Sequence, residues 1–210
     1  MTEAALRPVR QRRRIATLRA ALLLLLPLMV FTRPAWDGVS HPLAAILHEI
    51  FENLGVLTII AAVLGRFWSI LYAGGRKNAA VLREGPYSVC RHPLYLFSTI
   101  GAAGFGMMLG SVTLAVLLTG VIGAILVVTA RLEEGYLRSA FGPAYTAYAA
   151  EVPMILPRPR LWRSGAQVVV DVGALRRNLF DALVFLSLIP LAELLEYLKE
   201  VAGIPTVPLW

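Results

Sequence analysis

Gly85-Pro86-Tyr87-Ser88-Val89-Cys90-Arg91-His92-Pro93-Leu94-Tyr95 puts turn formers, two tyrosines, an arginine and a histidine into eleven residues between long apolar runs. Gly-Pro marks a turn. Pro93 suits the first turn of a helix, where its missing N–H is no loss. A helix is therefore expected from about His92 to Leu109. Gly110-Ser111 gives a tight turn, with Ser111 as the cap of a second helix. That helix runs from Val112 through Ala130 into Arg131-Leu132-Glu133-Glu134. The two form an antiparallel hairpin, and glycines at 101, 104, 106, 120 and 123 let its backbones approach closely. A second polar cluster starts at Arg131 and continues as amphipathic helix. It is broken at Phe141-Gly142-Pro143 and reaches Tyr145 and Tyr148. The expectation is that the two clusters close on one another at a membrane surface and form one site.

Composition sets the surroundings. Of 210 residues, 58% are hydrophobic and 16% charged, with a mean hydropathy of +0.69. A soluble domain carries about 45–50% apolar and about 25% charged residues. The excess is gathered into long runs, so the fold class is all-α, a polytopic membrane protein. The net charge of +7 and pI near 10.1 would suit nucleic acid. Arginines flanking apolar segments are better explained by membrane orientation, so membrane lipids and no nucleic acid are expected as partners. A single cysteine, Cys90, rules out an internal disulfide and reads as a small packed hydrophobe. No small-x-small cleavage pattern follows Arg7 to Arg14, so the first apolar run is expected to be retained.

Four regions follow. Residues 1–14 are a basic tail lying on anionic lipid. Residues 15–72 hold two spans, 15–31 and 54–72, at about 20 residues per crossing. Arg19 snorkels and Pro27 kinks the first span. His48, Glu49, Glu52 and Asn53 precede the second span at the interface. HEIFE lacks the second histidine of HExxH, so no metal site is expected. Arg66 lies inside the second span, either as a structural partner to a carboxylate or carbonyl or as part of a site. Residues 73–163 form the core: a polar loop with Gly74 to Asn78, the hairpin spans 93–109 and 112–130, and a non-helical stretch 152–163 with three prolines. Residues 164–210 are a connector and a last apolar helix, 179–201, expected to span despite Pro190 and Glu193. With these five spans, 16 of the 20 lysines and arginines fall on one side. The positive-inside rule makes that side cytoplasmic, with the N-terminus and both polar clusters, in a bacterial inner membrane.

Arg91 is a planar, bidentate donor for a carboxylate or phosphate. His92 donates or accepts, and Tyr87 and Tyr95 offer hydroxyls and flat rings that favour a positive centre. Glu133 and Glu134 accept from hydroxyls or amines, or balance Arg91. Such a set suits a zwitterion with a positive centre, and S-adenosylmethionine is one. Plainer readings stay open: Arg91 as an interfacial cation, Glu134 paired to Arg138 at i,i+4, and the tyrosines as an interfacial belt. Phosphate-cradling loops are absent from the sequence.

GPYSVCRHPLY, a short helical hairpin and RLEEGYLRSAFGPAYTAYAAEVPMILP together resemble the isoprenylcysteine carboxyl methyltransferases and the related phospholipid methyltransferases, over about residues 72 to 160. The resemblance implies a multispan enzyme with a cytoplasmic pocket for S-adenosylmethionine, formed by the 73–95 loop and the 131–160 region, and a lipid-like acceptor. It implies that Tyr87, Arg91, His92, Pro93 and Tyr95 hold the cofactor, with Glu133, Glu134, Tyr145 and Tyr148, and that Arg91, Glu134 and Tyr95 act in catalysis. Carboxyl O-methylation is the expected reaction. N-methylation of a phospholipid or other hydrophobic amine, nicotinamide-dependent reduction, and a non-enzymatic relative are the alternatives. Met154 stands where family members often carry arginine after Val-Pro, and Leu96, Phe97 and Ser98 intervene before the nearest glycine. Oligomeric state is not legible in the sequence.

Overall fold

A computed structural model describes residues 6–38, 42–73, 80–165, 167, 168, 170 and 172–210. The described chain is helical, with one small two-stranded sheet. Helix α1 (Leu6–Phe31) leads into strand β1 (Thr32–Pro34), then α2 (Pro42–Ala73) and a single turn, α3 (Pro86–Val89). The hairpin α4 (Pro93–Met108) and α5 (Val112–Phe141) follows, then α6 (Pro143–Glu151), α7 (Val172–Leu186), α8 (Leu188–Val201) and β2 (Val207–Leu209). Helices α1, α2 and α5 are long and apolar enough to cross a membrane, and α4 is a shorter apolar helix. This is an integral membrane protein, and its apolar exteriors, such as Leu23 and Leu24 on α1, face lipid.

The hairpin forms as its sequence demands. Pro93 opens α4 behind His92, Gly110 turns the chain with a φ of 65°, and Ser111 Oγ accepts from Leu114 N at 3.2 Å to cap α5. Gly142, with a φ of 53°, ends α5 ahead of Pro143.

Four expectations meet the structure here, and the last two are corrected. Part of the basic tail is the first turns of α1, which also carries on through Pro27. The stretch holding Glu49 and Glu52 is continuous with the second span in one 32-residue helix, where His48 Nε2 lies 3.0 Å from Glu52 Oε1. The last helix is two, α7 and α8, divided at Ser187, because Pro190 has no N–H for the carbonyl four residues back. The hairpin glycines do not all face across the hairpin. Gly106 lies against Ala115 and Gly123 against Thr99, but Gly104 abuts α2 at Gly55 and Ile59. Gly101 meets Phe185 and Ala62, and Gly120 meets nothing. The loop residues Gly74 to Asn78 lie outside the described residues.

The core is built around α2 and α4, with Ile59, Phe105, Leu109, Leu114 and Leu118 buried together. Arg66 donates to Ser98 Oγ, and its guanidinium sits 4.6 Å from the centre of the Phe185 ring, so it joins α2, α4 and α7. At one end of the bundle β1 pairs in parallel with β2. There Trp210 O accepts from Thr113 N at 2.5 Å and from Ser111 Oγ at 2.8 Å, while the Trp210 ring meets Trp36 edge-on at 5.4 Å. A cavity of about 410 Å³ at this end is lined by charged residues including Arg33, His48, Glu196 and Lys199. Both polar clusters lie at the opposite end, beside the end of α2, the start of α4 and the extension of α5.

A Cβ at Gly104 would stand 2.8 Å from Gly55 O and 2.9 Å from Ile59 N, backbone atoms that cannot give way. Gly104→Leu is expected to cost about 1–3 kcal/mol or more by overpacking. Gly120→Ala, with open space around it, is expected to be neutral or slightly stabilising. Thermal unfolding in detergent checks both.

Candidate functional site

Local chemistry builds the site floor. Gly85 adopts a φ of 58° directly beneath the Tyr72 ring, where any Cβ would come within 2.4 Å of it. This lets Pro86 start the single turn α3, after which the chain turns extended at Cys90. The proline-rich stretch beyond α6 lies alongside: Arg91 N donates to Pro153 O at 2.9 Å, His92 N to Met154 O at 3.1 Å, and Arg158 N to Val89 O at 3.0 Å. The Cys90 thiol donates to Ile155 O at 3.0 Å, and burial pushes its pKa up to about 11, so it stays protonated.

Arg91 is the hub. Its Nε donates to Glu134 Oε1 at 2.6 Å, and its Nη1 donates to Ala149 O at 2.7 Å and to Val152 O. One side chain thus joins the start of α4 to the extension of α5 and the end of α6. His92 Nε2 lies 3.3 Å from the same Glu134 oxygen, and its Nδ1 lies 3.9 Å from Glu133 Oε2. Arg138 reaches the other Glu134 oxygen at 3.6 Å, so the expected i,i+4 pair exists but is the looser contact. Burial alone would raise the Glu134 pKa. The hydrogen bonds from His92 and Arg91 outweigh it and hold the carboxyl at about 2.

Tyr95, one turn into α4, stacks on His92 with ring centroids 5.5 Å apart, and its hydroxyl donates to Glu133 Oε1 at 2.7 Å. Tyr145 and Tyr148 are buried, not an interfacial belt. Tyr148 donates to Tyr87 O at 2.7 Å and meets the Tyr145 ring edge-on at 5.8 Å. Burial raises the pKa of Tyr87, Tyr145 and Tyr148, so all three stay neutral. The structure therefore brings together every residue singled out in the sequence: Tyr87, Arg91, His92, Pro93, Tyr95, Glu133, Glu134, Tyr145 and Tyr148. The cluster packs side chain against side chain. Its outer rim is formed by Glu133, 36% exposed at its side chain, and Arg138, 54% exposed.

The sequence model for phospholipid methyltransferase matches residues 43–144, a stretch that contains α4, α5 and both glutamates. The chain belongs to the phospholipid methyltransferase family. Two relatives are similar along most of their length. The cobalt-zinc-cadmium resistance protein CzcN of Cupriavidus metallidurans is 33% identical over 193 residues, 92% of this chain and 86% of that protein. The nickel-cobalt-cadmium resistance protein NccN of Alcaligenes xylosoxydans xylosoxydans is 33% identical over 195 residues, 93% and 88%. The protein-S-isoprenylcysteine O-methyltransferase of Schizosaccharomyces pombe is 33% identical over 94 residues, 44% of this chain and 40% of that protein. No solved structure matches.

Two features of the site escaped the sequence. One is Arg14, read there as part of a solvated arm. It donates from Nη1 to the Tyr95 hydroxyl at 2.9 Å, and Leu18, one turn on, packs into the cluster of Tyr95, Ile122, Leu126 and Ala130. The other is the row of carbonyls from Val152 to Ile155, which carries no residue signature. Met154 serves here through its backbone oxygen, while its side chain packs with Ile155 against the same apolar cluster.

Removing Arg91 would strand a buried carboxylate and two carbonyls. Arg91→Ala is expected to destabilise the fold by about 3 kcal/mol or more, read by unfolding in detergent. Glu134 has a folded-state pKa below its ordinary 4.5, so its stabilisation is full above pH 4.5 and is lost as the pH falls toward 2. Glu134→Gln is expected to flatten that acid limb of the unfolding profile. An unchanged acid limb would show that the carboxylate is not the titrating group.

Proposed function

We propose that this family member transfers the methyl group of S-adenosylmethionine to a lipid-like acceptor, with an isoprenylcysteine-type carboxylate as the acceptor class. The observation that carries the reading is the meeting of Arg91, His92, Tyr95, Glu133 and Glu134 at one end of an apolar hairpin, where a charged ligand and a lipid reach the same point.

The donor set suits the cofactor. Arg91 has spent Nε and Nη1, and Nη2 has no hydrogen-bond partner among the described residues. That edge is available to a carboxylate. The rim carboxylate of Glu133 suits an amine or ribose hydroxyls, and the parallel His92 and Tyr95 rings offer faces to a cation. When bound, S-adenosylmethionine supplies a methyl carbon that is already electrophilic. The protein's task is then alignment, which fixes the reacting groups in line and excludes water. In this reading Arg91 and Tyr95 touch the reactants. Glu134 holds Arg91 and His92 in place, Pro93 sets the start of α4, and Tyr87, Tyr145 and Tyr148 form the neutral wall behind them. A carboxylate acceptor needs no base. An amine acceptor would need Glu133 or His92 to take its proton.

The names of the CzcN and NccN relatives favour a second reading, service in metal resistance. No group of three histidine, cysteine, aspartate or glutamate residues that could hold a metal ion occurs among the described residues. Any such service by this chain is therefore proposed to run through methylation of a membrane component.

Calorimetry in detergent is expected to show binding of S-adenosylhomocysteine and none of NADPH. His92→Ala and Glu134→Ala are each expected to lower methyl transfer to a lipid extract about 10–100-fold, the worth of one charge-assisted hydrogen bond. Undiminished transfer by both variants would sink the assignment.

A further inference from the structure

We infer that Arg14 is the acceptor-binding cation of this enzyme, the group that holds the carboxylate of a lipid-like acceptor at the membrane border. The inference rests on the methyltransferase reading and names its substrate class.

Helix α1 lies outside residues 43–144, the stretch the family shares. Little of its apolar length is buried in the bundle, so lipid covers most of it. Its lower end nevertheless turns one face inward. Arg14 and Leu18 are four residues apart and share that face. Leu18 joins the apolar cluster under Tyr95, and Arg14 is held over the Tyr95 ring, 5.8 Å from its centroid. In the sequence Arg14 closes the basic run Arg10 to Arg14 and the apolar run starts at Ile15, so a guanidinium at this position suits the border between hydrocarbon and water.

Its present partner does not use its charge. Nη1 rests on a neutral hydroxyl, and that hydroxyl spends its own proton on Glu133. No other donor of Arg14 has a partner among the described residues. A half-buried guanidinium with open N–H groups matches a carboxylate in bidentate geometry, which an ammonium would not. Arg91 cannot take this role as well, because Glu134 and two carbonyls consume most of its donors. The site therefore sets Arg91 deep against α5 and α6 and Arg14 on the lipid side, with Arg138 at the outer rim. The first faces the cofactor and the second faces whatever arrives from the bilayer.

With the acceptor carboxylate on Arg14, one of its oxygens attacks the methyl carbon. The new O–C bond forms as the C–S bond breaks, and the electron pair stays on sulfur. A carboxylate and a sulfonium become an ester and a neutral thioether, with no proton moved and no oxidant needed.

The test uses the full-length protein in lipid nanodiscs. The acceptors are an S-prenylated N-acetylcysteine, which has the carboxylate, and phosphatidylethanolamine, which offers an amine. Arg14→Ala is expected to raise KM for the prenylated cysteine about tenfold or more, the loss of a charge-assisted contact, while the Kd for S-adenosylhomocysteine stays within about twofold. Arg14→Lys, which keeps the charge without the fork, is expected to fall between. Leu18→Ala loosens α1 without touching charge and is expected to shift KM far less. An equal KM rise in Leu18→Ala assigns the effect to helix anchoring and overturns the inference, as does an unchanged KM in Arg14→Ala. Wild-type transfer to phosphatidylethanolamine and not to the prenylated cysteine also overturns it, while leaving the methyltransferase reading standing. Wild-type protein that binds no S-adenosylhomocysteine overturns both.

Discussion

A guanidinium and a carboxylate 2.6 Å apart at the edge of an apolar bundle hold this end of the molecule together. Neither Arg91 nor Glu134 could be buried there alone, since a charge taken from water must recover its solvation from partners. The consequence reaches well beyond the pair. Arg91 fixes the backbone before α4 and the exit of α6 through the carbonyls of Ala149 and Val152. Glu134 fixes His92, which stacks on Tyr95, which in turn reaches Glu133 and Arg14. Two turns of α5 beyond its apolar stretch therefore organise residues from α1, α4, α5 and α6 around one point.

The bundle supplies the rigidity that such a network needs. Contact between α2 and α4 is close because Gly55 and Gly104 bring backbone against backbone. Arg66 resolves as a structural group: its guanidinium bridges Ser98 and the Phe185 face, binding α7 to α2 and α4. A charge inside a span is tolerated here because polar and aromatic partners replace water.

Much of this was legible in the chain. Pro93, Ser111 and Gly142 each announce a helix boundary through local chemistry, and each boundary falls where that chemistry puts it. The convergence of the two polar clusters followed from counting spans. What escaped reading has physical reasons. Arg14 looks like any other arginine of a basic segment until the tilt of α1 brings it to Tyr95. The carbonyls of residues 152–155 act through backbone, which every residue type shares. Which helix a glycine faces depends on packing angles that spacing does not specify, so Gly101 and Gly104 were assigned to the wrong neighbour. The division at Ser187 needed the lost hydrogen bond of Pro190 to interrupt an otherwise continuous apolar run.

The clasp at the far end has a bearing on biogenesis. Residues 32–34 find their strand partners only at 207–209, and the start of α5 donates its outer hydrogen bonds to the Trp210 carbonyl. During synthesis β1 is made long before its partner strand, so this end cannot close until residues 207–209 are in place. Helices α1 to α8 therefore stay unlatched at this end until the two strands meet.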